Sequence, residues 1–184
     1  MFFFNHDNKV FKPRSIESAY LALLHDDLDT ASAIFESLDS PRARWGIILI
    51  SVLKGFVSFY PSYFDIRNFL EIDLDFLIKN EKIDYVEQLL GSLELFSNIN
   101  QETYKYAARV MYENKLLKVA REYMEKSKKI FYNDPELHFM FAKYYFETRD
   151  FEEAIFYINE CIKILPDYYP AKLMKEKILN EIII

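Results

Sequence analysis

Ala108 and Ala120 are followed 34 positions later by Ala142 and Ala154, and a repeat of that length constrains the chain more tightly than its composition does. Superposing 101–134 on 135–168 also sets Leu117 over Phe151, Met124 over Ile158 and Ser127 over Cys161, so size class is kept along the unit. Within each unit the two alanines stand twelve positions apart. That spacing puts one on each helix of a hairpin, where a methyl side chain lets helix axes approach to about 8–10 Å. Hairpins of this kind bury their apolar faces by stacking on their neighbours.

Five of the six prolines, Pro41, Pro61, Pro135, Pro166 and Pro170, fall between runs with helical periodicity, where a missing N–H does no damage. Helices are predicted over 15–25, 28–38, 41–60, 63–79, 83–96, 101–113, 116–130, 135–148, 151–164 and 169–182. No window shows sustained two-residue alternation bounded by Asn-Gly or Asp-Gly, so the expected fold class is all-α.

The segment Pro135-Glu136-Leu137-His138-Phe139-Met140-Phe141-Ala142-Lys143-Tyr144-Tyr145 resembles the first helix of the tetratricopeptide repeat (TPR) family. Phe151-Glu152-Glu153-Ala154-Ile155-Phe156-Tyr157-Ile158-Asn159-Glu160-Cys161 resembles its second, with Pro166 at the closing position. His138 replaces the usual Trp, Arg149 the usual Gly, and Tyr132 the proline that closes the preceding unit. Upstream, 67–100 carries Leu74 and Val86 in the small positions, and Ala19 and Ala31 restore the spacing of twelve. Ala31 precedes Val86 by 55 positions, one period plus about one helix, so an extra long helix is expected near 41–60. The resemblance implies a right-handed α-solenoid of helical hairpins. Its expected organisation is an N-terminal extension over 1–14 and a single helical-repeat domain over 15–184. The repeats are best defined at 101–134 and 135–168, degenerate at 15–40 and 67–100, and closed by a capping helix over 169–184.

Several function classes find no support in the residues. Gly46, Gly55 and Gly91 are the only glycines and lie too far apart for a phosphate-cradling loop. Net charge of −6 argues against nucleic acid, whose binding depends on a surplus of cations. Cys161 is the only cysteine and sits at a small-residue packing position, which fits a reducing compartment. His6, His25 and His138 fall on separate elements without zinc-binding spacing, and His138 is expected in the repeat core. The acidic clusters Asp26, Asp27, Asp29 and Glu71, Asp73, Asp75 lack a calcium loop and read as solvated turns and helix faces. The start has no basic region preceding an apolar run, and no segment approaches the roughly 20 apolar residues of a membrane span. A cytoplasmic chain without a cofactor or metal is expected.

Charge is segregated, with three Lys/Arg against eight Asp/Glu over 62–100 and eight against four over 101–132. First-helix side chains at i, i+3, i+7 and i+10 share one stripe. By resemblance that stripe lines a concave groove: Glu102, Lys105, Arg109 and Tyr112 in one unit, Glu136, Phe139, Lys143 and Phe146 in the next. Cations beside aromatic rings suit an acidic or aromatic-anchored peptide or helical segment of another protein. The asparagine usual in a chaperone-tail carboxylate clamp is replaced here, since Arg109 and Lys143 stand at the corresponding place. The expected function is therefore a non-enzymatic adaptor or scaffold. The alternative is a structural subunit that self-associates through Leu173, Met174, Ile178, Leu179, Ile182, Ile183 and Ile184 of the last helix. A more distant alternative is a helical enzyme whose site crosses the groove.

Overall fold

The computed structural model describes residues 14–57 and 59–183, and among them every regular element is helical, with no strand. His6 and nearly all of the expected 1–14 extension lie outside the described residues. The chain divides into two compact units, the first ending at Phe59 and the second beginning at Tyr60.

The first unit holds α1 (Ile16–Leu24), α2 (Leu28–Glu36) and α3 (Pro41–Leu53), with α2 packed on both of the others. Ser15, Asp27 and Ser40 cap the three N-termini through side-chain oxygens. Ala19 and Ala31 have no exposed surface, and the Phe35 ring meets Tyr20 edge-on at 5.2 Å. The helix expected over 41–60 stops at Leu53. Gly55 takes a φ of +81° just beyond it, and the Phe56 N–H closes the turn onto the Ser51 carbonyl at 3.0 Å. Left-handed backbone at Gly55 therefore ends a run whose hydrophobicity alone would have continued.

Gly46 lies inside α3, where alanine would ordinarily be the better helix former by about 1 kcal/mol. Here a Cβ would come within 2.5 Å of the buried Phe35 ring. Gly46→Ala is expected to destabilise the first unit by about 1–3 kcal/mol through overpacking, measured as a lowered urea midpoint. A raised midpoint would mean that the Phe35 ring has room to yield.

In the second unit α4 spans 65–79, with a π turn at Leu70–Leu74 between two α-helical stretches. The bulky Leu74 in the expected small-residue position coincides with that turn. There follow α5 (Ile83–Gly91), α6 (Leu93–Ser97), α7 (Thr103–Glu113) and α8 (Leu117–Ile130), then α9 (Pro135–Glu147), α10 (Phe151–Ile164) and α11 (Tyr169–Ile183). The single helix expected over 83–96 is interrupted at Ser92. Ala108, Ala120, Ala142 and Ala154 are all fully buried. Helix α7 packs on α8, on the π turn of α4 and on α9, while α9 packs on α8, α10 and α11.

The hairpin turns repeat at the level of single hydrogen bonds. Glu81, Lys115 and Arg149, each 34 residues from the next, all take a left-handed φ near +60°, as does Asp26 in the first unit, 55 residues before Glu81. In each case the following N–H reaches back five residues to a carbonyl, as Leu116 does to Met111 and Asp150 to Tyr145, both at 2.9 Å. This is the Schellman ending, which usually employs glycine because a Cβ in the left-handed region costs about 1–2 kcal/mol. Lys115→Gly and Arg149→Gly are each expected to raise stability by roughly 0.5–1 kcal/mol, seen as a higher urea midpoint at unchanged m-value. A drop would show that these side chains stabilise the turn.

Candidate functional site

The eight residues of the expected stripe lie on α7, α9 and the residue before α7, which pack side by side, but their charges are engaged unequally. Lys105 is only 3% exposed. Its ammonium lies 2.6 Å from Glu102, 2.6 Å from Asp134 and 3.2 Å from Glu136. Burial opposes its charge, yet the hydrogen bonds to Asp134 and Glu102 more than offset this and hold it well above the ordinary lysine range. Glu102 is correspondingly held below the usual carboxylate value, burial being outweighed by its bonds to Lys105 and Tyr106. Tyr106 donates to Glu102 at 2.5 Å, and burial together with that carboxylate pushes its hydroxyl up to about 12.

Arg109 extends the network by pairing with Glu71 of α4 and Glu136 of α9, and Arg67 stands over the Tyr106 ring while bonding Glu71 at 3.2 Å. Asp134 is held from two sides, since it also caps α9 by accepting from the Glu136 and Leu137 N–H groups. Lys105 and Arg109 therefore face the chain's own carboxylates rather than standing open to a ligand. Their work in this arrangement is to fix α4, α7 and α9 against one another.

The other half of the stripe is arranged differently. Tyr112 is buried and donates to Glu147 at 2.6 Å; burial, then this carboxylate, raises its hydroxyl pKa. The half-buried Lys143 ammonium lies 4.7 Å from the centre of the Tyr112 ring and 6.0 Å from that of Phe139. It forms no ion pair among the described residues. Phe139 meets Tyr168 edge-on at 5.4 Å, and Lys177 of α11 stands 4.7 Å over Phe146. The site is thus an ion-paired half around Lys105 and a cation–aromatic half around Lys143. Asp134, Glu71, Arg67 and Lys177 were missed by the stripe argument. Asp134-Pro135 is a readable helix-start signal, but nothing local in the sequence links it to a lysine 29 residues earlier.

Cys161 is fully buried, and burial raises its thiol to about 11, so it is a spacer in the packing rather than a thiolate at neutral pH. No group of His, Cys, Asp and Glu that could hold a metal occurs among the described residues. None of the described helices is long and apolar enough to cross a membrane.

His138 is fully buried between Tyr132, edge-on at 4.8 Å, and Tyr157, tilted at 5.8 Å. Burial holds its pKa below 6.5, although a hydrogen bond to the Tyr132 backbone, then Glu160 and Asp134, favour the charged form. Because the unfolded chain takes up the proton first, stability contributed above pH 6.5 is lost as pH falls from there through the folded-state value. The wild type is expected to lose up to about 1.4 kcal/mol per pH unit over this window. His138→Phe should remove that slope in urea titrations between neutral and mildly acid pH, and equal slopes would contradict it.

Comparison with protein-family models gives no match, and no curated protein matches the chain in sequence.

Proposed function

We propose that the chain is a non-enzymatic protein-interaction module built as a TPR-like solenoid, holding a segment of another protein against the α7–α9 face. The observation that supports this most is that an ion-paired half and a cation–aromatic half share one face. Carboxylates clamp Lys105 and Arg109 from neighbouring helices, while Lys143 lies over aromatic rings without an ionic partner among the described residues. A face held still by its own ion pairs loses little conformational freedom on binding. Aromatic and cationic side chains beside it supply the kind of anchors that dominate interfaces. The left-handed turns at Glu81, Lys115 and Arg149, recurring every 34 residues, support the solenoid reading, as do the buried alanine pairs.

The test is affinity purification with wild type and with the combined variant Phe139→Ala, Lys143→Glu, Phe146→Ala, after checking that both unfold cooperatively. A partner retained by the wild type and lost by the variant is the expected result. An identical set of partners would overturn this use of the face.

Self-association through α11 has a specific observation in its favour, since Tyr169, Leu173, Leu179 and Ile182 are exposed. Leu173 and Ile182 are nine residues apart, about half a turn out of phase, so they do not form one stripe. Leu179 and Ile182, three residues apart, are the pair that would face a second copy. Sedimentation of Leu179→Glu, Ile182→Glu against wild type decides this reading, with a shift to smaller particles expected only if it holds.

A further inference from the structure

Helix α8 carries a second surface, distinct from the α7–α9 face. Lys118, Glu122, Glu125 and Lys129 share one stripe of this helix, and Arg121 and Lys126 flank it. All four of these cations are exposed, and they line an open concavity of about 630 Å³ together with Tyr144 of α9. None of the four forms an ion pair among the described residues, in contrast to Lys105 and Arg109. Glu125 is itself paired at 2.8 Å with Lys128, outside this group.

Two of the four cations are held in place by rings. The Tyr104 and Tyr123 rings stack at 6.1 Å with 13° between their planes, and the Lys126 ammonium stands 4.8 Å over Tyr123 and 5.6 Å over Tyr104. The Arg121 guanidinium lies 5.6 Å over Tyr145 and 5.8 Å over Tyr144. Cations fixed on aromatic faces keep their charge and give up less side-chain entropy when a ligand arrives.

We propose that the outward face of α8 is a docking surface for an acidic segment of a partner protein, with Lys118, Arg121, Lys126 and Lys129 receiving its carboxylates. Charge complementarity selects that occupant. Glu122 and Glu125 lie within the same stripe, and a polyphosphate backbone with evenly spaced charges would be forced against them. Affinity for nucleic acid also needs several unopposed cations at once, on a chain whose net charge here is −6. An acidic peptide can direct its few carboxylates to the cations, leaving Glu122 to solvent and Glu125 to Lys128.

The test is fluorescence anisotropy of a labelled acidic peptide, its glutamates set in pairs between Gly-Ser spacers, at physiological ionic strength with full-length chain. The combined variant Lys118→Gln, Arg121→Gln, Lys126→Gln, Lys129→Gln is compared with a charge-matched control, Lys79→Gln, Lys163→Gln, Lys172→Gln, Lys175→Gln. The proposal expects binding to the wild type, a loss of about tenfold or more in the α8 variant, and wild-type affinity in the control. Tyr123→Leu, which keeps every charge but removes the ring beneath Lys126, is expected to weaken binding about threefold. No binding to wild type, equal losses in both charge variants, or tighter binding of oligouridylate than of the acidic peptide would overturn it. So would salt-sensitive self-association of the wild type, lost in the α8 variant, that excludes the peptide; a second copy would then be the occupant, with exposed Asp84, Glu87 and Glu94 as its acidic side.

Discussion

Replacing Lys105 with methionine is expected to cost about 3–5 kcal/mol, the usual effect of removing one partner from a buried ion pair. Methionine fills much of the same volume but leaves Asp134, itself buried, without its ammonium, and leaves Glu102 and Glu136 repelling one another. Adding Asp134→Asn should recover at least about 1 kcal/mol. Asparagine still caps α9 but carries no charge that needs a partner, so the two changes are coupled rather than additive. The pH dependence has a definite sign on both sides. Lys105 is raised, so its contribution is complete below its ordinary value near 10.5 and is lost only as pH climbs through the higher folded-state value. Glu102 is lowered, so its contribution is complete above about 4.5 and is lost as pH falls through its folded-state value. The wild-type advantage over Lys105→Met should therefore be flat near neutrality and shrink in acid, as read from urea midpoints across that range. A cost under about 1 kcal/mol, typical of an exposed pair, would mean that water reaches the ammonium.

Phe141→Ala is the second large effect, again about 3–5 kcal/mol. Phe141 is fully buried and stacks on Tyr157 at 4.6 Å and on Tyr145 at 6.3 Å, while Tyr145 stacks on Tyr157 at 5.5 Å. The ladder lies between α9 and α10, the helices that carry the buried Ala142 and Ala154. Lys128 covers it from α8, with its ammonium 5.0 Å over Phe141 and its N–H donating to the Tyr157 hydroxyl at 3.0 Å. Truncating the ring removes apolar burial and leaves a cavity that neighbouring rings cannot collapse into without unstacking. Phe156→Ala on the same hairpin removes a half-exposed ring and should cost well under half as much. Thermal or urea unfolding of the two variants checks the ratio.

The all-α class was legible because helix signals are local: prolines between periodic runs, capping Ser and Asp residues, and alanines at fixed offsets. The end of α3 was not, because Gly55 acts through a single backbone torsion, and the apolar residues around it carry no sign of it. Leu74 stood out in the sequence as a bulky residue in a small-residue position, but the π turn around it, which packs against α7, had no local signal. The stripe from Glu102 to Phe146 was found by helical periodicity, which states which side chains share a face. Periodicity says nothing of what faces them, so the carboxylates that take up Lys105 and Arg109, from Asp134 and Glu71, were invisible until helices far apart in sequence came together.

In-register duplication tests whether the hairpins of the second unit stack as repeats. Inserting a second copy of residues 116–149 after Arg149 adds one whole unit, from one left-handed turn to the next, while keeping the Lys105–Asp134 pair and offering Ala142 a copy of Ala120. A solenoid, whose units contact only their neighbours, accepts such a unit. The lengthened chain should keep its ellipticity per residue and a cooperative melt, and its maximum dimension by small-angle scattering should grow by about 10 Å, one helix-packing layer. Loss of the cooperative melt, or an unchanged maximum dimension, would contradict the account.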